Sequence, residues 1–282
     1  MSDFLYIIAE GVQDVAFIGK LLTVHHGAAR LKRMEDLGAD HAAWMSSFKW
    51  PIKSALGTDI ERFSVPAPTF YRVAPDITVV LRSAGSIEKI YNTLEVDVES
   101  FVRGASGPAT VGILLDSDDE PAETRLGKLR TSLAALALDV PGSFATVGNG
   151  TPRVGVFAAP EPGVAGTLED LLLMIGDVSY PELAASARAY AEGWRTRAQT
   201  DLKGSDWSLM RKPAGGKKAA VAAMTAILKP GYAAQVSIEQ NRWLGEHTKR
   251  LPGLKPFADF LAALLATVTP AAAPVPARAP GS

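Results

Sequence analysis

The sequence predicts an α/β protein built on an open, mostly parallel sheet flanked by helices, with an insert after the first helix and a helical C-terminal part. Three observations predict it. Apolar runs stand at 4–9 (FLYIIA) and 110–115 (TVGILL), with weaker ones at 77–83 (ITVVLRS) and 153–159 (RVGVFAA). Their apolarity is continuous rather than alternating, which is the pattern of a strand buried on both faces. Helix-period segments lie between the runs, and the resulting strand-helix alternation is the order of crossover units in a parallel sheet.

Taken in order, FLYIIA is followed by the helical pattern DVAFIGKLL, 14–22. The stretch 24–75 then breaks the rhythm. It is too long for an ordinary loop and contains WPIKS and SVPAPTFYRVAPD, so it reads as an insert. After ITVVLRS comes SIEKIYNTLEVDVESFV. After TVGILL comes RLGKLRTSLAAL, with Leu126, Leu129, Leu133 and Leu136 on one helical face. From 167 to 268 the patterns are helical throughout. Residues 1–268 therefore read as one domain, and the Pro/Ala-rich 269–282 as a disordered tail.

Composition narrows the function. With 29 basic and 30 acidic residues the formal charge is −1, so no global field points to a nucleic acid or a membrane, and a polyanion would have to be held locally or through metal. The absence of cysteine excludes disulfides, thiolate zinc sites and cysteine nucleophiles, and four histidines leave little for a histidine-rich metal site. MSDFLYIIAEG lacks the basic region of a signal peptide, and no run reaches the ~20 apolar residues of a membrane span; a cytoplasmic protein is expected.

In an open α/β sheet, ligands bind beyond the carboxyl ends of the strands. Three such ends carry acids here. AEGVQD follows the first strand and brings Glu10 and Asp14. DSDD follows the third and brings Asp116 and Asp118, which point to one side if the chain stays extended. GTLEDLL follows the fourth and brings Glu169 and Asp170. Carboxylates gathered at one edge repel one another unless a cation neutralises them. An all-oxygen donor set favours Mg²⁺ or Mn²⁺ over zinc, and such ions serve phosphoryl and phosphodiester chemistry. Taken singly, each motif also reads as the acidic cap of the helix that follows.

Other motifs fail on spacing. An EF-hand beginning at Asp116 would need glycine and glutamate where Pro121 and Gly127 stand, and GGKKA, 215–219, lacks the upstream glycine and the hydroxyl residue of a Walker loop. GNGTPRVG, 148–155, precedes a strand instead of linking one to a helix, and Glu120 stands where a haloacid-dehalogenase-type phosphatase has threonine or valine. Two basic stretches, HHGAARLKR (25–33) and RKPAGGKK (211–218), could touch phosphates, the second with Arg211, Lys212 and Lys217. Trp44, Trp50, Phe70 and Tyr71 could stack on bases or pack a small satellite core.

AEGVQD and LLDSDD, in that order on strand ends, resemble the TOPRIM domain of topoisomerases, primases and OLD-type nucleases. GTLEDLL and the helix KKAAVAAM extend the likeness to small stand-alone TOPRIM-related proteins and to the catalytic half of OLD nucleases. The resemblance spans 4–23 and 77–245. It implies that Glu10 is a metal ligand or general acid/base, that Asp14, Asp116, Asp118 and Glu169 hold Mg²⁺ or Mn²⁺, and that Lys218, or Lys217 by a one-residue shift, is the site lysine. Gly85 in SAGS matches the family's glycine turn, with Ser86 where a second glycine is common. The function implied is a magnesium-dependent nuclease, or a related phosphodiester-processing enzyme, acting on DNA or RNA. Two alternatives stand beside it. One is a regulatory or defence-complex subunit activated by a separate ATPase partner, and the other is a metal-dependent phosphatase on a small molecule. A homo-oligomer fits any of them.

Overall fold

The computed structural model describes residues 4–47, 53–54, 57–58, 67–73, 77–103, 107–118, 120–201, 204 and 208–268. Four strands form its parallel centre: β1 (Phe4–Ala9), β6 (Ile77–Ser83), β7 (Thr110–Asp116) and β9 (Arg153–Ala159). These are the four apolar runs of the sequence, and they lie side by side as β6-β1-β7-β9. Both faces of this centre are buried, which is why the runs do not alternate.

The remaining strands make the sheet mixed. β5 (Thr69–Val73) pairs antiparallel with β6, and β2 (Ala29–Leu31) pairs antiparallel with β5. At the other edge β8 (Thr146–Val147) runs antiparallel to β9. The seven-stranded order is β2-β5-β6-β1-β7-β9-β8. Part of the stretch expected as an insert thus extends the main sheet instead of standing apart from it. Two more strands of two residues each, β3 (Lys53–Ser54) and β4 (Gly57–Thr58), form a separate hairpin. Trp50, Asp119 and the 269–282 segment lie outside the described residues.

Successive side chains of β1 face opposite ways, so Leu5 and Ile7 enter one core and Phe4, Tyr6 and Ile8 the other. On the first face lie α1 (Val12–His26), α5 (Leu168–Ser179), α6 (Pro181–Asp201), α7 (Gly215–Leu228), α8 (Ala234–Gln240) and α9 (Lys255–Ala266). On the second lie α2 (Ala39–Ser47), α3 (Ile90–Arg103) and α4 (Ala122–Leu133). Trp44, Phe70 and Tyr71 are buried in these cores, Trp44 and Phe70 edge to face, so they pack the protein and present no stacking surface.

α9 shows how local sequence sets the packing. Phe257, Phe260, Leu261, Leu264 and Leu265 recur at helical spacing and are buried. They lie over β7 and β9 where register partners Gly112 and Gly155 leave the sheet bare. A Cβ on either glycine would stand 2.8 Å from Leu264, so only glycine lets the helix approach this closely. Across the sheet, Tyr6, Arg82 and Asp97 form a buried polar group that ties α3 to the central strands, with Arg82 Nε 3.2 Å from Asp97 Oδ2. Among the described residues no helix is long and apolar enough to cross a membrane.

Candidate functional site

The strand order reverses around β1, with β6 on one side and β7 on the other, so the loops leaving their carboxyl ends diverge and open a crevice. A cavity of about 530 Å³ fills it. Four segments converge on this space: Glu10 to Asp14 after β1, Gly85 and Ser86 after β6, Asp116 at the end of β7, and Leu168 with Glu169 at the start of α5. Lys218, Val221 and Ala222 of α7 line one side. Gly85 adopts φ +91, a turn that a side chain would strain, and its amide donates to the Glu10 carbonyl at 2.8 Å.

The acids are held differently. Glu10 Oε1 accepts from the Asp116 amide at 2.9 Å, and Asp116 Oδ1 accepts from the Leu168 amide at 2.8 Å. Asp14 Oδ2 accepts from the Gly11 amide at 2.8 Å, at the third position of α1. Asp170 does the same for Thr167 in α5, at 2.9 Å, and also pairs with Lys217 Nζ at 2.7 Å. Glu169 is 7% exposed, and its Oε2 has no hydrogen-bond partner. A buried carboxylate oxygen without a partner is costly and calls for a donor or a cation.

Electrostatics follow from this crowding. Burial, then the charges of Asp14 and Glu10, push the Asp116 carboxyl up to about 8 against the opposing pull of the Leu168 amide. Burial also raises Glu10 to about 7, with Asp14 and Asp118 adding to it and the Asp116 amide and Arg125 opposing. Asp14 stands at about 6, raised by burial and Glu169 and lowered by the Gly11 amide and Lys218. Three carboxyls on one cavity wall thus resist ionisation, first because they are buried and second because they face one another.

The residues fit a hard divalent cation in donor chemistry, and Glu169, whose Oε2 has no hydrogen-bond partner, lines the same space. As the side chains stand, no group of three or more among the described residues is arranged to hold a metal ion. Glu10 Oε1 and Asp116 Oδ1 are each held by a backbone amide, which leaves one oxygen of each carboxylate outside those bonds.

The cavity brings together Glu10, Asp14, Asp116, Glu169 and Lys218 of the residues singled out in the sequence, and leaves four others outside it. Asp118 was expected beside Asp116 by strand alternation. Instead the strand ends at Asp116, Asp118 turns to φ +46, and its backbone bridges to Gly166, which swings its side chain into a neighbouring cavity. There Asp118 Oδ2 accepts from Arg125 Nη2 at 3.0 Å. Lys217 is engaged with Asp170, while Lys212 lines the cavity that holds Asp118. Arg211 is exposed in the turn before α7.

The sequence reading passed over Arg125 altogether. It is 7% exposed, donates to the Asp116 carbonyl and to Asp118, and lies 3.9 Å from Glu10 Oε1. The available signal was a single cation one turn into the helix after DSDD, beside the leucine stripe rather than opposite it.

Fold and site together define a three-layer α/β protein with a carboxylate-lined cavity at the carboxyl ends of its parallel strands. The chain belongs to the family described as protein of unknown function (DUF3226), whose model matches residues 6–266. A search of the curated proteins finds no match. Among solved structures the chain is similar to a hypothetical protein from Pyrococcus horikoshii OT3, with 16% identity, a TM-score of 0.55, and coverage of 95% of this chain and 100% of that one. That likeness concerns the fold alone.

Proposed function

We propose that the protein is a TOPRIM-like, magnesium-dependent phosphodiester-processing enzyme, a nuclease acting on DNA or RNA. One observation carries the reading: carboxylates from three strand ends share a cavity with a lysine, and one of them, Glu169, is buried with an unpartnered oxygen. Glu10, Asp116 and Glu169 would hold the ion, with Asp14 beside them. Bound there, Mg²⁺ would offset their repulsion and polarise a phosphodiester oxygen.

The remaining work falls to the chain itself. If Glu10 serves instead as general acid/base, its carboxyl at the end of β1 would transfer a proton between an attacking water and the leaving oxygen, leaving the ion to Asp116 and Glu169. Lys218 supplies positive charge where a non-bridging phosphate oxygen would gain negative charge. The N-termini of α1 and α5 border the same space, with the Gly11 amide taken by Asp14 and the Leu168 amide by Asp116.

Purified protein with Mg²⁺ or Mn²⁺ is expected to cleave some DNA or RNA among linear, nicked, circular and single-stranded forms. Asp116→Ala and Glu10→Ala are expected to lower that cleavage by roughly 10²-fold or more with circular dichroism unchanged. No cleavage of any form with either ion would overturn the reading.

A second reading has an observation of its own. Glu10 and Asp116 are latched onto the Asp116 and Leu168 amides, which suits a subunit held silent until a separate ATPase partner releases it. Metal-dependent cleavage appearing only on addition of such a partner would favour this reading.

A further inference from the structure

At α7 the acidic cavity does not close. Lys218 and Ala222 line it, and the same two residues line a second cavity of about 890 Å³, so the two spaces are neighbours that meet at these side chains. The walls of this trough are the Asp118–Gly166 bridge, Thr167, the turn carrying Lys212, and the first turn of α7 with Lys217 and Lys218.

Three features point to an anion there. The first is the helix start itself. α7 runs for 14 residues and begins at the trough; the Gly215 amide is taken by the Lys212 carbonyl at 2.9 Å, which leaves the Gly216 and Lys217 amides of the first turn without intrahelical partners. Gly215 permits the turn to fold this tightly, because a Cβ at that position would lie 2.4 Å from the Leu209 carbonyl oxygen.

The second is charge. Of the acids nearby, Asp118 is taken by Arg125 and Asp170 by Lys217. Neither Lys212 nor Lys218 has an ion-pair partner among the described residues.

The third is Thr167. It is 2% exposed, lines the trough, and its Oγ1 has no hydrogen-bond partner. Its backbone amide donates to Asp170, and the Asp170 amide donates to the Thr167 carbonyl at 3.0 Å. A buried hydroxyl in the same cavity wall as Lys212, which has no ion-pair partner among the described residues, and as a helix N-terminus matches a phosphate oxygen.

We propose that the trough is a phosphate subsite for a nucleic-acid strand, holding the backbone phosphate next to the one over the carboxylates. Lys212, the Thr167 hydroxyl and the first amides of α7 hold it, with Lys218 shared between the two positions. This rests on the phosphodiester reading of the acidic cavity. A ligand with phosphates at successive positions is the kind that uses both spaces, and the exposed Leu209 at the rim, 68% accessible, offers apolar surface to sugars and bases.

Binding without turnover tests it. In EDTA, fluorescence anisotropy of a labelled single-stranded oligonucleotide is titrated against the full chain, with unlabelled pyrophosphate as competitor. Lys212→Gln is expected to weaken the oligonucleotide about fivefold and to lower the slope of log K against log salt by about one. Thr167→Val, which keeps the buried shape and removes the hydroxyl, is expected to weaken it about threefold. Glu169→Gln, which removes negative charge next door, is expected to bind as tightly as the parent or more so.

Oligonucleotide binding that neither Lys212→Gln nor Thr167→Val changes overturns the subsite, as does no binding by the parent. Trough-dependent binding of pyrophosphate with none of the oligonucleotide overturns the strand assignment in favour of a small phosphorylated ligand. Trough-dependent oligonucleotide binding by a protein that cleaves nothing supports the subsite while refuting the nuclease reading.

Discussion

Metal-free protein should lose stability as the pH rises through neutrality, and Asp116→Asn should restore it. The sign follows from the direction of displacement. Asp116 stands at about 8 in the folded chain against an ordinary 3.8, so the folded state binds the proton more tightly than the unfolded one. Stability is then fullest below the unfolded value and falls as the pH climbs through about 4 to 8.

Each pH unit between the folded and unfolded values corresponds to about 1.4 kcal/mol, so the four or so units at Asp116 (8 less 3.8) set an upper bound of about 6 kcal/mol. Glu10 and Asp14, at about 7 and about 6, repel the same carboxyl, so neutralising one relieves the others and the three do not add. A net effect of about 2–3 kcal/mol is expected, or roughly 4–12 °C in Tm for a chain of this size.

Differential scanning calorimetry in EDTA at about pH 5 and about pH 8 measures it. The parent is expected to melt lower at the higher pH. Asp116→Asn is expected to remove most of that drop, and millimolar Mg²⁺ to remove it in the parent but not in the variant. An EDTA-treated parent with a flat Tm across this range, together with an unstabilised Asp116→Asn, would refute the argument that buried, mutually repelling carboxylates share the cavity.

Two further expectations concern the scaffold. Asp97→Ala removes the buried carboxylate facing Arg82 and Tyr6, and breaking such a pair should cost about 3–5 kcal/mol, read as a lower urea midpoint. Gly155→Ala sets a methyl 2.8 Å from Leu264 and 3.0 Å from the Phe260 ring, and the resulting overpacking of α9 on the sheet should cost about 1–3 kcal/mol by the same measurement.

The four central strands were legible because burial on both faces leaves an unbroken apolar run, and each ended at turn or polar residues. β2 and β5 were not. β2 is three largely exposed residues, and TFYRV at β5 reads like the loop around it until the β6 edge is there to pair with. Neither strand has enough local pattern to stand out, since their place in the sheet comes from tertiary pairing. Asp118 departs from the extended placement for a different reason. Period-two alternation holds only while the chain is extended, and the bridge to Gly166 ends that one residue after Asp116. Arg125 was missed because nothing local distinguishes a buried cation that faces acids from a solvated one; only the fold brings Glu10, Asp116 and Asp118 around it.

For AEGVQD and GTLED the sequence posed a choice between helix capping and ligand binding, and the structure divides the two roles between the acids of each motif. In both, the acid at the third helical position caps: Asp14 takes the Gly11 amide and Asp170 the Thr167 amide. The other acid cannot reach that amide from its place in the turn, so Glu10 and Glu169 face the cavity, one latched to a backbone amide and one with an oxygen unpartnered. Capping fixes the helix start, and the fixed helix start aims the second acid, so the bland use of one carboxylate is what makes its neighbour available. DSDD precedes no such cap, since α4 begins only at Ala122, and there the second acid turned away from the cavity to Arg125.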